Sequence, residues 1–180
     1  MLDICNPPNR IMIFGRPGSG KSTFAKRLHE ITKLPLYHLD KHYFLSNWVE
    51  RNKQEFLDIQ QSLVIQDRWI IDGNSIKSLE MRYSKTHVAL YINFPKWVCI
   101  YRILKIIFFP NANIDDRAKG CTDRLNWKLL EYCWTFDKRI QKSLAYLKEK
   151  YPKVHFIEIT NCQMLKSTID FFKKQEQATL

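Results

Sequence analysis

Apolar and polar residues follow one another in blocks that predict short strands separated by amphipathic helices. Five short, mostly apolar runs have the length and composition of strands: residues 11–14, 36–39, 69–72, 87–94 and 154–159. Residues 87–94 show little alternation, which is typical of a strand covered on both faces. Helical spacing predicts helices at residues 21–33, 52–66, from Pro95 to about 108, from about 122 to 150, and at 164–174.

This order of elements predicts a single α/β domain of the three-layer α/β/α type, with helices on both faces of a five-stranded parallel sheet. The 180 residues suit one domain with a buried core. In such sheets ligands bind beyond the carboxyl ends of the strands. Gly15, Asp40 and Asp72 lie at the ends of the first three predicted strands, so we expect the functional site there.

The stretch after the first strand predicts a phosphate-binding loop. Residues 15–22 fit the pattern G-x-x-x-x-G-K-[ST] at every fixed position, between an apolar strand and an amphipathic helix. Glycines let backbone N–H groups turn towards phosphate oxygens, and the following helix adds its positive end. We expect Lys21 to contact the β- and γ-phosphates, Ser22 to offer its hydroxyl to Mg²⁺ and Thr23 to reach another phosphate. The predicted nucleotide-binding residues are Gly15, Arg16, Pro17, Gly18, Ser19, Gly20, Lys21, Ser22 and Thr23.

Two aspartates at predicted strand ends are candidates for metal binding and base catalysis. Mg²⁺ prefers six oxygen ligands and keeps several waters, so a carboxylate near the loop would complete its shell. Asp72, at the end of "WIID", has the position of a Walker-B-like metal ligand. Asp40 could share that role or act as a general base. For each aspartate taken alone, a helix cap or a turn is the alternative interpretation.

Composition and charge narrow the partners. The chain is 45% hydrophobic and 26% charged, as ordinary globular proteins are, and its net charge of +11 indicates a polyanionic substrate or partner. Nucleotide phosphates would use part of this charge, and nucleic acid could use the rest. The basic residues are dispersed, however, so a basic surface without such a partner is the alternative.

The remaining composition indicates a cytoplasmic protein without a structural zinc site. No apolar run has the length of a membrane span, and the first residues lack a secretory signal pattern. The five scattered cysteines form no C-x-x-C pair, which disfavours zinc and favours reduced thiols.

Several segments resemble the bacterial proteins called DNA topology modulation proteins, which are adenylate kinase-related P-loop proteins. The segments are "GRPGSGKST", "LPLYHLDKHYF", "DRWIIDGN", "VALYINFPKWVCIYRILK" and "GCTDRLNWKLLEYCWTF", and the resemblance covers about residues 10–159. It implies a sheet of order 2-3-1-4-5, a small mobile lid at about residues 110–124, an ATP site and kinase-type chemistry. The family name implies an effect on DNA supercoiling.

The same resemblance implies roles for four arginines. Arg102, seven residues after Pro95, is placed to stack its guanidinium on adenine. Arg117 and Arg124 in the lid, and Arg139 on the next helix, are candidates to neutralise charge on the transferred γ-phosphoryl group. A solvated position on a helix is the alternative for Arg102.

The acceptor side departs from adenylate kinases. Those enzymes carry D-G-F-P-R after the third strand, where this chain reads Asp72-Gly73-Asn74-Ser75-Ile76, and Tyr43 replaces a second arginine that holds the AMP phosphate. Both acceptor-phosphate arginines are therefore missing, and Arg82 is too distant in sequence to be assigned their role. An aspartate and aromatic residues in "DKHYFLSNW" favour a hydroxyl or nucleoside-like acceptor, with Asp40 as the base and His38 or His42 as weaker candidates.

Aromatic residues near this pocket have a simpler interpretation as packing. Tyr43, Phe44 and Trp48 could pack the lid over the core. For Trp127 and Trp134 on the long helix, core packing is favoured over base stacking with single-stranded DNA.

Three functions remain open from the sequence. The first is a Mg²⁺- and ATP-dependent kinase of a small molecule, with Lys21, Ser22, Asp72 and an arginine in the roles given above. The second is a DNA-associated ATPase, which the positive charge favours and the absence of a DNA-reading motif disfavours. The third is a regulatory nucleotide-binding protein without turnover.

Overall fold

Five parallel strands form the centre of the computed structural model, which describes residues 7–108 and 127–179. The strands are β1 (Arg10–Gly15), β2 (Leu36–His38), β3 (Trp69–Asp72), β4 (Val88–Ile92) and β5 (His155–Ile159). The α-helices are α1 (Lys21–Thr32), α2 (Leu39–Tyr43), α3 (Lys53–Val64), α4 (Leu79–Tyr83), α5 (Lys96–Phe108), α6 (Trp127–Lys150) and α7 (Cys162–Thr179). Two short 3-10 helices lie at Ser46–Trp48 and Ile76–Ser78.

The strand order is β2-β3-β1-β4-β5, and every pairing is parallel. This confirms the expected fold class and sheet order. The register places Asp72 of β3 beside Ile13 of β1 and His38 of β2, and Gly15 beside Ile92. The ends of β1, β2 and β3 therefore meet at one edge of the sheet, where the loop residues and Asp72 come together.

Alternate residues of β1 point to the two faces of the sheet, as the period of a strand requires. Ile11 and Ile13 belong to one buried cluster, and Met12 and Phe14 to the other. The first cluster includes side chains of α1, α5 and α7, among them Phe24, Leu28, Ile103 and Phe172. The second includes side chains of α3, α4 and α6, among them Phe56, Leu63, Tyr83 and Phe136.

The sequence located the long elements and missed the shortest. The predicted strand at residues 36–39 ends one residue early, because Leu39 begins α2. Helices α2 and α4 have five residues each, too few for the apolar period to be visible. The last helix is longer than predicted, whereas the predicted start of α6 near residue 122 lies outside the described residues.

The start of α3 shows how local chemistry sets a boundary. Asn52 precedes the helix, and its side-chain oxygen accepts hydrogen bonds from Gln54 N at 2.8 Å and Glu55 N at 3.5 Å. This arrangement satisfies backbone donors that have no partner within the helix. Within the described ranges, none of the helices is both long and apolar enough to cross a lipid bilayer.

Candidate active site

The loop between β1 and α1 has a backbone that only glycine accommodates at its tightest points. Gly15 has φ of +148°, and a Cβ there would overlap the carbonyl group of Ile92. Gly18 has φ of +77°, and its Cβ would overlap the carbonyl oxygen of Cys99 on α5. The loop is therefore held closely between β4 and α5, in a conformation that L side chains rarely adopt.

The interior of this loop presents donors of the kind that bind phosphate. Lys21 Nζ donates to the backbone oxygen of Arg16 at 3.1 Å, so the ammonium group lies against the loop. The first N–H groups of the twelve-residue α1 have no side-chain cap, which leaves them for an anion. Ser19 Oγ is buried and has no hydrogen-bond partner among the described residues. Ser22 is half-buried and Thr23 exposed at the start of α1.

The guanidinium of Arg16 is turned towards α6. It is 2% exposed, its Nη2 contacts both carboxylate oxygens of Asp137 at 2.5 Å, and its Nη1 donates to the backbone oxygen of Cys133. Burial disfavours the cation, but the Asp137 carboxylate outweighs burial and raises the pKa of Arg16. Cys133 Sγ also donates to Pro17 O at 3.5 Å. Any contribution of Arg16 to phosphate binding is thus left to its backbone amide.

Asp72, at the end of β3, has one carboxylate oxygen that accepts a hydrogen bond from a described residue and one that does not. The side chain is buried, and His38 Nδ1 donates to its Oδ2 at 2.9 Å. Oδ1 has no hydrogen-bond partner among the described residues. One carboxylate oxygen and the Ser22 hydroxyl fit a Mg²⁺ ion that takes its other ligands from phosphates and water. Across the described residues, no cluster of three or more His, Cys, Asp or Glu side chains could hold a metal without such help.

Asn74 ties the turn after β3 to the start of the phosphate-binding loop. Gly15 N donates to Asn74 Oδ1 at 3.0 Å, and Asn74 Nδ2 donates to Gly15 O at 2.5 Å. This pair of bonds fixes the peptide groups around Gly15 as a neighbouring strand would. Asn74 could not be distinguished from an ordinary turn asparagine in the sequence, because its partner is 59 positions away.

Arg102 lies beside the loop, on the side of α5 and α7. Its Nη1 donates to Ser19 O at 3.1 Å, and its guanidinium carbon lies 4.8 Å from the centre of the Phe94 ring. Its Nη2 contacts Cys162 Sγ at 3.9 Å. The guanidinium plane is therefore held next to the loop, and its contact with an adenine base stays a prediction.

On the other side of the loop, α2 carries the proposed base. Asp40 is exposed in the first turn of α2, two residues after His38, the β2 residue that pairs with Asp72. His42 is half-buried, and burial, with help from the Arg51 cation, lowers its pKa. A histidine that stays neutral near pH 7 does not add to the positive charge of this side.

The residues after α2 form a short hairpin, with Phe44 bridged to Glu50 and Leu45 N bonded to Val49 O at 2.8 Å. Its turn places Asn47 and Trp48 at φ of 60° and 62°. The Trp48 ring packs edge-on against Phe44 with centroids 5.0 Å apart. Positive φ suits asparagine but strains tryptophan, and strain of this kind clusters near functional sites.

Arg82 on α4 lies in the same region and is completely buried. Its Nη2 donates to Ser75 O at 3.0 Å. Burial lowers the pKa of Arg82 to about 9, against the opposing effect of the Asp72 and Asp40 carboxylates and of Tyr132 on α6. The structure thus brings Arg82 within electrostatic range of both carboxylates, which the sequence could not establish.

Of the three arginines proposed to contact the transferred group, the structure describes Arg139. It is exposed on α6, its Nε donates to Thr135 Oγ1 at 2.9 Å, and its guanidinium carbon is 5.5 Å from the centre of the Tyr132 ring. Tyr132 is within electrostatic range of Arg82 and Asp40, which places Arg139 on the same side. Arg117, Arg124 and the expected lid at residues 110–124 lie outside the described residues.

The two tryptophans of α6 do not pack in the core, so the sequence-based prediction of core packing is wrong. Trp127 is 75% exposed and Trp134 44% exposed, and Trp134 packs edge-on against Trp97 with centroids 4.8 Å apart. Lys96 Nζ lies 3.9 Å from the centre of the Trp134 ring. The buried face of α6 belongs instead to Phe136 and its neighbours, since both tryptophans lie on the opposite side of the helix.

Comparisons with known proteins identify the fold. No protein-family model matches the chain, and no curated protein matches it in sequence. Among solved structures, a shikimate kinase from Acinetobacter baumannii in complex with shikimate aligns with a TM-score of 0.57 at 12% identity, over 95% of this chain and 94% of that one. A shikimate kinase from Bacteroides thetaiotaomicron aligns with a TM-score of 0.51 at 16% identity, over 96% and 99%. These likenesses establish the shared fold.

Proposed function

We propose that this chain is a Mg²⁺- and ATP-dependent kinase that phosphorylates a hydroxyl group of a small acceptor. The observation that carries this proposal is the glycine-dependent loop with Lys21 folded against it, next to a buried aspartate whose Oδ1 has no described partner. Phosphoryl transfer depends mainly on positioning and on charge stabilisation, and these groups supply both.

On the donor side, each residue has a defined task. The loop amides and the α1 N-terminus would bind the β- and γ-phosphates, and Lys21 would neutralise their charge. Ser22 and Asp72 would hold Mg²⁺, which neutralises phosphate charge when it is bound. Arg102, beside Ser19, would stack its guanidinium group on the adenine base of ATP. Arg139 is the described candidate for neutralising charge on the transferred group.

On the acceptor side, Asp40 would act as the base. The acceptor oxygen forms a bond to the γ-phosphorus, the bond from that phosphorus to the bridging oxygen breaks, and ADP leaves with the bond electrons. The hydroxyl proton passes to the Asp40 carboxylate, which is exposed and can reach an incoming hydroxyl. The shikimate kinases supply a precedent for a hydroxylated acceptor on this fold.

The proposal fits a chain that acts in the cytoplasm, where ATP and reduced thiols are found. Cys99, Cys133 and Cys162 are free in the described residues. Burial raises the pKa of Cys99 to about 11, so this thiol is unreactive at neutral pH.

The experiment that tests the proposal follows the γ-phosphoryl group of labelled ATP. The protein is incubated with Mg²⁺ and a panel of nucleosides, nucleotides, sugars, sugar acids and shikimate, with and without DNA. We expect label to appear in at least one acceptor. Label released only as free phosphate, and faster with DNA, would replace the kinase with a DNA-associated ATPase, and ATP binding with no turnover would leave a regulatory protein.

Two lysine variants distinguish the loss of the proposed phosphate-binding lysine from the loss of any surface cation. Lys21→Ala removes the cation that lies against the loop and should lower transfer by about 100-fold or more. Lys53→Ala removes an exposed cation at the start of α3 and should leave transfer unchanged. Circular dichroism of both variants verifies that they fold. Transfer that persists in a folded Lys21→Ala variant would remove the loop from the mechanism.

A further inference from the structure

A fully buried arginine on α4 has donors that the described protein does not satisfy. Arg82 has no solvent exposure, and its Nη2 has a hydrogen-bond partner in Ser75 O. Nε and Nη1, which together carry three N–H donors, have no partner among the described residues. Buried arginines are almost always paired, because a cation that is shut off from water without a partner is strongly destabilising.

The surroundings of Arg82 place it at the acceptor side of the site. Ser75, its partner, follows Asp72 by three residues, beyond the end of β3. The carboxylates of Asp72 and Asp40 are within electrostatic range, and so is the Tyr132 hydroxyl on α6. Asp72 Oδ2 accepts its hydrogen bond from His38 and not from Arg82. Arg82 is therefore within electrostatic range of the proposed base, Asp40, and of the proposed metal ligand, Asp72. Its Nε and Nη1 donors form no hydrogen bond to either carboxylate.

We infer that Arg82 binds an oxyanion of the acceptor, a carboxylate or a phosphate, and holds that acceptor with its hydroxyl towards Asp40. This inference rests on the proposed kinase function and adds that the acceptor is anionic. A guanidinium group recognises planar and tetrahedral oxyanions through several N–H donors at once. Because Arg82 is shut off from solvent in this conformation, the side chains that cover it must move when the acceptor binds.

A purely structural role for Arg82 makes different predictions. In that case its bond to Ser75 O would hold the turn that carries Asn74, and through it the loop at Gly15. Loss of Arg82 would then weaken ATP binding and the fold, whichever acceptor is used. Loss of an oxyanion anchor instead affects anionic acceptors alone.

The test uses acceptors in matched pairs, one member anionic and the other neutral. Suitable pairs are gluconate with sorbitol and thymidine monophosphate with thymidine, so that the carboxylate and phosphate arms are separate. Transfer from labelled ATP is measured for the wild type, Arg82→Lys, Arg82→Gln and the control Arg68→Gln, which removes an exposed arginine at the opposite end of β3. ATP affinity and thermal unfolding are measured for each variant.

We expect the wild type to prefer the anionic member of at least one pair. Arg82→Gln should raise KM for that member by about 10- to 100-fold, with little change in ATP affinity. The KM of Arg82→Lys should lie between those of the wild type and Arg82→Gln. Arg68→Gln should match the wild type. A wild type that prefers neutral acceptors, or an equal loss for both members in Arg82→Gln, would overturn the inference while leaving the kinase proposal intact.

A binding measurement keeps the inference testable when the panel lacks the true acceptor. The protein is saturated with a non-hydrolysable ATP analogue, and titration calorimetry then follows succinate and, separately, inorganic phosphate. Binding that is present in the wild type and lost in Arg82→Gln supports the inference, and the tighter anion identifies the arm. Equal binding, or equal absence of binding, in wild type and variant contradicts it. If no acceptor is phosphorylated but the anion still binds in an Arg82-dependent way, the result counts against the kinase proposal and leaves the oxyanion site standing.

Discussion

The two sides of the candidate site are built in different ways. On the proposed donor side, nine consecutive residues at 15–23 form the loop and the start of α1, and backbone groups would do most of the phosphate binding. On the proposed acceptor side, Asp40, Arg82 and Tyr132 come from three separate segments, and their side chains would do the work. The donor side needs a fixed spacing of glycines, whereas the acceptor side needs a fold that brings distant residues together.

Because the two sides are built differently, a loop of this kind can be shared among many proteins, whereas we expect the acceptor side to set the specificity of this one. A loop that binds phosphate through amides requires the same backbone whichever nucleotide it serves. The side chains opposite it can change without disturbing that backbone. Asn74 is the described contact that spans the two sides, since it lies in the turn after Asp72 and bonds both peptide groups of Gly15.

The largest effect is expected from the backbone of the donor side. Gly15→Ala places a Cβ onto the carbonyl group of Ile92 at a positive φ, and should destabilise the protein by about 3 kcal/mol or more. Gly20→Ala is the matched control, because its Cβ would meet only Arg102 Nη1 at 3.9 Å. It should cost about 1–2 kcal/mol from its φ of +90°. Urea unfolding measures both, and equal losses would show that the close approach to β4 is unimportant.

The next effect tests how the donor loop is anchored to α6. Asp137→Ala leaves the Arg16 guanidinium buried with Cys133 O as its partner, and should lower the free energy of unfolding by about 1–3 kcal/mol. The estimate is below that of a fully buried pair because Asp137 is 45% exposed. In the double variant Arg16→Met/Asp137→Ala the loss should be smaller than the sum of the single losses. Strict additivity would mean that the two groups do not stabilise each other.

The connection between the two sides can be broken without touching either set of functional groups. Asn74→Ala removes two hydrogen bonds to Gly15 and should weaken ATP binding by about tenfold, since the loop loses its lateral support. Asn74→Asp still accepts from Gly15 N but cannot donate to Gly15 O, so its ATP affinity should be intermediate. Calorimetric titration with ATP gives the order, and unchanged affinity in Asn74→Ala would show that the loop holds its shape alone.

The smallest effect concerns the acceptor side and pH. Burial lowers the pKa of His42, so the unfolded chain takes up a proton near pH 6.5 that the folded chain refuses. The unfolded state binds more protons there, and this contribution to stability is lost as the pH falls through that range. His42→Gln should therefore make the free energy of unfolding decline less between pH 7.5 and pH 5 in buffered urea titrations.

His87 gives a matched comparison away from the site. Burial, with the Arg10 cation, also lowers its pKa, so His87→Gln should flatten the same pH dependence. It should leave transfer unchanged, because His87 precedes β4 at the opposite end of the sheet. A steeper decline in either variant would reverse the sign assigned to these groups.

The form of the glycine loop could be predicted from the sequence for a physical reason. A loop that is set by glycine spacing between a strand and a helix leaves its whole pattern in nine consecutive letters. The sheet order followed from the resemblance, and Asp72 followed from its place at a strand end. Arg16 was different, because its letter belongs to the loop pattern while its guanidinium is bound by Asp137, 121 positions away.

The acceptor side could be predicted only in part. Asp40 was recognisable from its place just after a predicted strand. The burial of Arg82 was not predictable, because α4, the helix that carries it, has only five residues and no visible period. The exposed positions of Trp127 and Trp134 were mispredicted because a helical spacing of aromatic residues does not say which face meets the core. Contacts of this kind are set by packing between distant segments, and a single sequence does not record them.

The most direct test of the two-sided site is the fate of labelled γ-phosphoryl groups in three proteins side by side. The wild type, Lys21→Ala and Arg82→Gln are each supplied with Mg²⁺, labelled ATP and one anionic and neutral acceptor pair. We predict label in the acceptor for the wild type, none with either acceptor for Lys21→Ala, and a loss confined to the anionic acceptor for Arg82→Gln. Label that reaches only water in the wild type, or reaches the acceptor unchanged in Lys21→Ala, would contradict the account.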